Sequence, residues 1–250
     1  MAIGTISFTE WLKKNPSVVS NAIKGNFLQV ARTDLVSMMN QYLTALGDGV
    51  FIGKYSHETW GTVPYMQPWQ TAEYGIKAAD ADAIVVQYGG YRLGIALDNV
   101  SLPWGSSLET DYGITSDLNS FDGKNIMSKI MSNAAIKDDA PSQYGMAYAW
   151  NYSKSHTGDA SGDSTIGAHS WWMPTMADLS LILDHFGTIN LAIDRINAAG
   201  KQTAVRLQKS SYWSCQASGA GHARNLNYSS GYRGYNKRDN RLHVRPVTAF

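Results

Sequence analysis

One cysteine, Cys215, stands in a chain of 250 residues, which excludes any disulfide within the chain and any multi-cysteine metal site. Charge is scarce as well. Asp, Glu, Lys and Arg make up 16% of the residues, against roughly 25% in ordinary soluble proteins, and the formal net charge is +1. That balance gives no global pull toward nucleic acid or anionic membranes, so any electrostatic preference has to be local. Long apolar runs are missing too. The longest purely aliphatic run is Ala83 to Val86, far short of a membrane span, and no membrane insertion is expected. Glu10, Lys13 and Lys14 interrupt what would have to be the apolar region of a signal peptide, so no export signal is expected.

Chemical motifs are also sparse. The histidines, His57, His156, His169, His185, His222 and His243, lack the i, i+4 pairing of a helical zinc site, and no metal is expected. There is no G-x-S-x-G elbow and no Gly-rich loop ending in Gly-Lys-Ser/Thr, so hydrolase and nucleotidase chemistry has no positive support. Gly158 to Asp163, GDASGD, resembles a calcium loop only superficially, lacking alternate ligands and a closing Glu; a surface loop is the expectation. A non-enzyme without cofactors is the expectation.

What is present falls into segments of different texture. Met1 to Asp48 is helix-like: Ser7-Phe8-Thr9-Glu10 has capping-box spacing, Pro16 interrupts the first stripe, and Thr33-Asp34 can cap a second. In that second helix Leu35, Met38, Met39, Tyr42, Leu43 and Leu46 recur at helical spacing, stopped at Gly47. Such a stripe must cover either the main domain or a neighbour, and residues 1–48 are read as an attachment or oligomerisation segment. Residues 49–250 form the main domain. Ala83 to Tyr88 and Tyr91 to Leu97, joined by Gly89-Gly90, read as a hairpin, and Trp104 as a core anchor. Ile126, Ile130 and Met131 mark a short helix. Thr175, with Asp178 three residues on, caps a helix burying Leu179, Ile182, Leu183 and Phe186, and a further helix runs from Thr188 to Ala199 with Gly200 as its stop.

Ser211 to Phe250 differs again: an apolar skeleton alternates with Gly, Ser, Asn, Tyr and Arg. Tyr and Arg give contact area with few freely rotating bonds, and Ser, Gly and Asn give adaptable hydrogen bonding, as in binding loops. A twisted hairpin would use the same residues for its turns and strands. Arg224, Arg233, Lys237, Arg238, Arg241 and Arg245 stand here against the single acid Asp239. Single-stranded nucleic acid is disfavoured, because Gly and Asn dilute the strip and the whole chain is near neutral.

Trp172-Met173-Pro174-Thr175, Tyr212-Trp213-Ser214, Ala223 to Gly231 and His243 to Phe250 (HVRPVTAF) form an ordered set. The set resembles C-type-lectin-like domains of the formylglycine-generating-enzyme type in bacterial and phage proteins, with their W-x-P-T/S-x-x-E-L, Y-W-S-S and V-R-P-V pattern. Leu93 to Trp104 and Asp122-Gly123-Lys124 also look like parts of such proteins, so the resemblance covers about Val50 to Phe250. Asp178 stands where the family commonly has Glu. The resemblance implies an α+β fold with a small twisted antiparallel sheet and two or more packed helices, here preceded by the N-terminal helical segment. Several members of this group are variable proteins of diversity-generating retroelements, whose final segment is diversified for ligand binding, and the final segment here is similar in kind. Calcium-dependent sugar binding is not implied, since the tripeptides for it are missing, and the oxidising enzymes of this fold need a cysteine pair.

On that resemblance residues 211–250 are the recognition segment. Trp213, Leu226, Tyr228, Gly231, Val244 and Val247 are expected to be scaffold. Gln216, Ser218, His222, Arg224, Tyr232, Arg233, Tyr235, Arg238 and Asp239 are the expected ligand contacts. The expected setting is an exposed virion component of a bacteriophage, such as a tail or head fibre, binding a host cell-surface protein or glycan. Other virion subunits would be held through the N-terminal helices, in a homo-oligomer. The alternatives are a cytoplasmic location, a purely structural joint protein, or an enzyme of the same fold.

Overall fold

The computed structural model describes residues 14, 41–42, 44–58, 61–70, 78–107, 117–152, 171–200 and 203–250. Most of the N-terminal segment and the GDASGD stretch lie outside the described residues. Among the described residues the fold is α+β with two sheets. The first has six strands: β1 (Gly49–Glu58), β2 (Gly61–Pro68), β3 (Ala83–Tyr88), β4 (Tyr91–Ala96), β6 (Trp171–Trp172) and β11 (Val247–Ala249), in the order β2-β1-β3-β4-β11-β6. The second has five: β5 (Val100–Leu102), β7 (Ser211–Ala217), β8 (His222–Asn227), β9 (Arg233–Lys237) and β10 (Leu242–Val244), in the order β5-β10-β7-β8-β9. All neighbours are antiparallel except β7 and β10. Sheet structure is thus more extensive than the one small sheet expected from the sequence.

The β3–β4 hairpin turns at Gly89 and Gly90, whose φ of +55° and +84° lie in the left-handed region that a two-residue hairpin loop needs. Strand β3 is apolar from Ala83 to Val86, where both faces are covered. Ile84 and Val86 enter the main core, while Val85 packs with Phe51, Met66, Tyr42 and Leu46. Tyr42 and Leu46, the described end of the expected second helix, therefore pack on the first sheet. The chain's last strand closes the first sheet, with Val247 opposite both Ile95 and Trp172. Thr248 lies over Gly94, where an added Cβ would stand 2.7 Å from its Cγ2.

Four α-helices are described over their whole length: α1 (Gly123–Met131), α2 (Gly145–Trp150), α3 (Met176–Asp184) and α4 (Phe186–Ala198). Helix α3 starts as its sequence predicts. Thr175 Oγ1 accepts from Asp178 N at 3.0 Å, and Asp178 Oδ2 accepts from Thr175 N at 2.9 Å, a reciprocal capping box. Helix α4 ends before Gly200, at φ +106°. Its Asn190 and Asn197, two turns apart, bond the backbone of Leu207 and Ala204 and so hold the extended segment that leads to β7.

Asp178 is buried, and its carboxylate also accepts from the Tyr91 hydroxyl at 2.9 Å. Burial raises its pKa from 3.8 to about 6, against the opposing effect of those hydrogen bonds. A native carboxyl that titrates above its unfolded value holds its proton where the unfolded chain has lost it. Its contribution to stability is therefore full below the unfolded value and is lost as pH rises through about 6, a change on the order of 3 kcal/mol. Asp178→Asn, neutral at every pH, is expected to flatten that part of the stability profile in urea unfolding. An unchanged slope would assign the titration to another group.

Candidate recognition face

Strand β7 anchors the C-terminal segment through two reciprocal tryptophan bonds. Trp213 Nε1 donates to the Leu102 carbonyl at 3.0 Å, and Trp104 Nε1 donates to the Ser214 carbonyl at 2.8 Å, with both indoles fully buried. Beside them Tyr212 stacks on Tyr228 at 4.5 Å, and Phe186 of α4 meets Tyr228 edge-on. Leu226, Val244 and Val247 are buried too. The expected scaffold residues thus form the frame, and Gly231 takes the left-handed conformation, φ +71°, in the loop between β8 and β9. Asn227 shapes the same loop, its Oδ1 accepting from the backbone N of Ser229 and Ser230.

Two of the nine expected contacts are corrected by their burial. Gln216 is fully buried, its Oε1 accepting from Met176 N at 2.9 Å and from the Ser214 hydroxyl at 3.1 Å, while its Nε2 donates to the Asp117 carbonyl at 2.9 Å. The β7–β8 register shifts between Trp213 and Ala217, and in that irregular stretch the amide reaches the start of α3 instead of solvent. Arg238 is fully buried as well. Its guanidinium lies 4.8 Å from the Trp104 ring centre and donates to the carbonyls of His222 (3.2 Å), Ser107 (3.3 Å) and Gly219 (3.1 Å). Both are internal clamps and neither is a surface contact.

The remaining seven are accessible to different degrees. Ser218 is half-buried, its backbone N donating to the His222 carbonyl. Asp239 is exposed in the turn after β9. Pairing of β8 with β9 sets His222 opposite Lys237, Arg224 opposite Tyr235 and Leu226 opposite Arg233, so these six side chains share one sheet face. Tyr235 is 58% exposed, with the His222 ring edge-on at 5.5 Å and the Arg224 guanidinium 5.9 Å from its centre. Arg233 donates to the Ser180 hydroxyl of α3 at 2.6 Å. Tyr232, 68% exposed, lies on the reverse side of the edge strand: a Cβ added to Gly234 would stand 2.5 Å from Tyr232 Cε1. The two tyrosines therefore flank β9 and do not form one platform.

Lys237, exposed on the same face, was not among the expected contacts. Alternation in Arg233-Gly234-Tyr235-Asn236-Lys237 carries the signal, since positions 233, 235 and 237 of a strand point one way. Arg245, of the Val-Arg-Pro-Val motif, is a core residue that donates to the Val205 carbonyl at 2.7 Å among Tyr148, Tyr152, Tyr212 and Asp98. Burial lowers its pKa. Cys215 is fully buried and its thiol is pushed well up by desolvation, the state of an inert packing residue. A cleft of about 420 Å³ opens between β1–β2 and the start of α4, lined by Asp48, Trp69, Gln70, His185 and Thr188 among others. None of the nine expected contacts lines it.

No protein-family model matches the sequence, and no curated protein matches it. Among solved structures, a fimbrial protein from Bacteroides ovatus is similar in fold, with a TM-score of 0.53 and 12% identity, over 80% of this chain and 48% of that one. The chain thus spans about half the length of that protein. At this identity the likeness concerns the fold alone.

Proposed function

We propose that this chain is a non-enzymatic binding protein whose main domain is C-type-lectin-like, similar to variable proteins of diversity-generating retroelements, and whose β8–β9 face recognises a host cell surface. The carrying observation is Tyr235, 58% exposed on an edge strand and flanked by His222 and Arg224, above a frame locked by Trp104 and Trp213. A rigid base with an exposed aromatic and adaptable polar neighbours lowers the ordering cost of binding. In this reading the protein is an exposed component of a bacteriophage virion, and residues 1–48 attach it to its neighbours and join copies of it. Tyr42 and Leu46 fix the near end of that segment to the domain.

A second reading, a joint between subunits of a surface assembly, draws on the same exposed tyrosines and on the likeness to a fimbrial protein. Imaging assembled particles with an antibody against residues 229–240 separates the two. The recognition reading expects the label to bind intact particles. Labelling only after disassembly would make the face a subunit joint.

A further inference from the structure

The recognition face carries charge of one sign. Arg224, Arg233 and Lys237 lie on the same side of the β8–β9 ribbon as Tyr235, and Arg241 is exposed just beyond it. Among the described residues none of these four cations makes an ion pair, and Asp239 is the one acid between Arg224 and Arg245. In a chain of net charge +1 this is a local concentration of positive charge without an ion-pair partner among the described residues. Its spacing is regular. Along β9 the order is cation, aromatic, cation at positions 233, 235 and 237, about 7 Å between successive side chains, and Arg224 sits beside the central tyrosine.

We infer that the ligand of this face is an anionic polysaccharide, with a sugar ring lying on Tyr235 and its carboxylate or sulfate groups meeting Arg224, Lys237 and Arg233. This rests on the recognition reading of the same face. An open ribbon suits a repeating polyanion that lies along it, since sugar rings bring apolar C–H faces to an aromatic ring and charged substituents to cations on either side. A peptide added to the edge of β9 fits less well. The strand has only five residues, it bears charge at alternate positions, and Tyr232 covers its reverse side at Gly234, all features that discourage strand addition.

Binding of the full chain to immobilised polygalacturonate, dextran sulfate, neutral dextran and poly-glutamate tests this. Polygalacturonate, dextran sulfate or both are expected to bind, neutral dextran is not, and the stronger of the two identifies carboxylate or sulfate as the recognised group. Raising salt from about 0.1 M to about 1 M, which shortens the Debye length from about 10 Å to about 3 Å, is expected to weaken binding at least tenfold. Lys237→Ala is expected to cost about 3–10-fold and Tyr235→Ala more than tenfold, each with an unchanged melting midpoint. Equal binding of poly-glutamate, with no effect of Tyr235→Ala, would reduce the face to a general charge sink and overturn the polysaccharide. Binding of neutral dextran that is indifferent to Lys237→Ala but lost in Tyr235→Ala would overturn the anionic ligand while leaving the recognition face standing. Polysaccharide binding unaffected by either substitution would overturn both.

Discussion

Arg238→Ala is expected to destabilise the protein by about 3–5 kcal/mol, lowering the melting midpoint by roughly 10 °C. The buried guanidinium joins two stretches of chain that are far apart in sequence, the end of the β5 connection and the β7–β8 turn. It donates to Ser107 after β5, to Gly219 in the β7–β8 loop and to His222 at the start of β8, and it lies on the ring of Trp104. Its own backbone completes the joint: Arg238 N donates to the Gly221 carbonyl and Arg238 O accepts from Trp104 N. Truncation removes the three bonds that this charged donor makes, each on the order of 1 kcal/mol, and opens a cavity beneath the indole. Lysine cannot substitute, because one ammonium has no planar fork with which to reach carbonyls in three directions. Lys237→Ala, one residue away and exposed, is expected to change stability by less than about 0.5 kcal/mol. Urea unfolding of the two variants side by side checks the contrast. A loss below about 1 kcal/mol in Arg238→Ala, accompanied by lost ligand binding, would return Arg238 to the surface contacts.

Local signals in the sequence carried much of the fold. Gly89-Gly90 between two apolar runs placed the hairpin, Thr175 with Asp178 placed the start of α3, and Gly200 placed the end of α4, because each rests on backbone geometry that a few neighbouring residues decide. The skeleton of the C-terminal segment was legible for the same reason, since large apolar residues at alternate strand positions must find a core. Interior polar clamps were not legible. Gln216 and Arg238 look like ordinary surface residues until carbonyls from residues 107, 117 and 219 converge on them, and no local pattern announces that convergence. The bonds from Asn190 and Asn197 to the segment before β7 were hidden likewise. So was the insertion of β11 between β4 and β6, which joins strands about 150 and 75 residues away in the sequence. In the site itself, alternation gives the sides of β9, but only the cross-strand register shows that Arg224 meets Tyr235 and that Tyr232 belongs to the reverse side.

The largest expected effect on binding comes from removing the accessible aromatic and cationic groups together. Tyr232→Ala/Tyr235→Ala/Arg224→Ala strips both flanks of β9 and the cation beside Tyr235, yet none of the three hydroxyl or guanidinium groups supports the frame held by Trp104 and Trp213. Aromatic and Arg contacts at the centre of an interface each contribute about 2 kcal/mol or more, so a loss of at least about 100-fold in affinity is expected. Stability should remain within about 1–2 kcal/mol of the parent, the main structural loss being the ring that covers Gly234. Arg238 stays in this variant, because its removal would destabilise the face from within and mimic a loss of contacts. The most direct test is attachment of the fluorescently labelled full chain to a panel of bacterial surfaces. The parent is expected to stain a subset of strains and the triple variant, with its melting midpoint preserved, to stain none of them; equal staining by both would contradict recognition through the β8–β9 face.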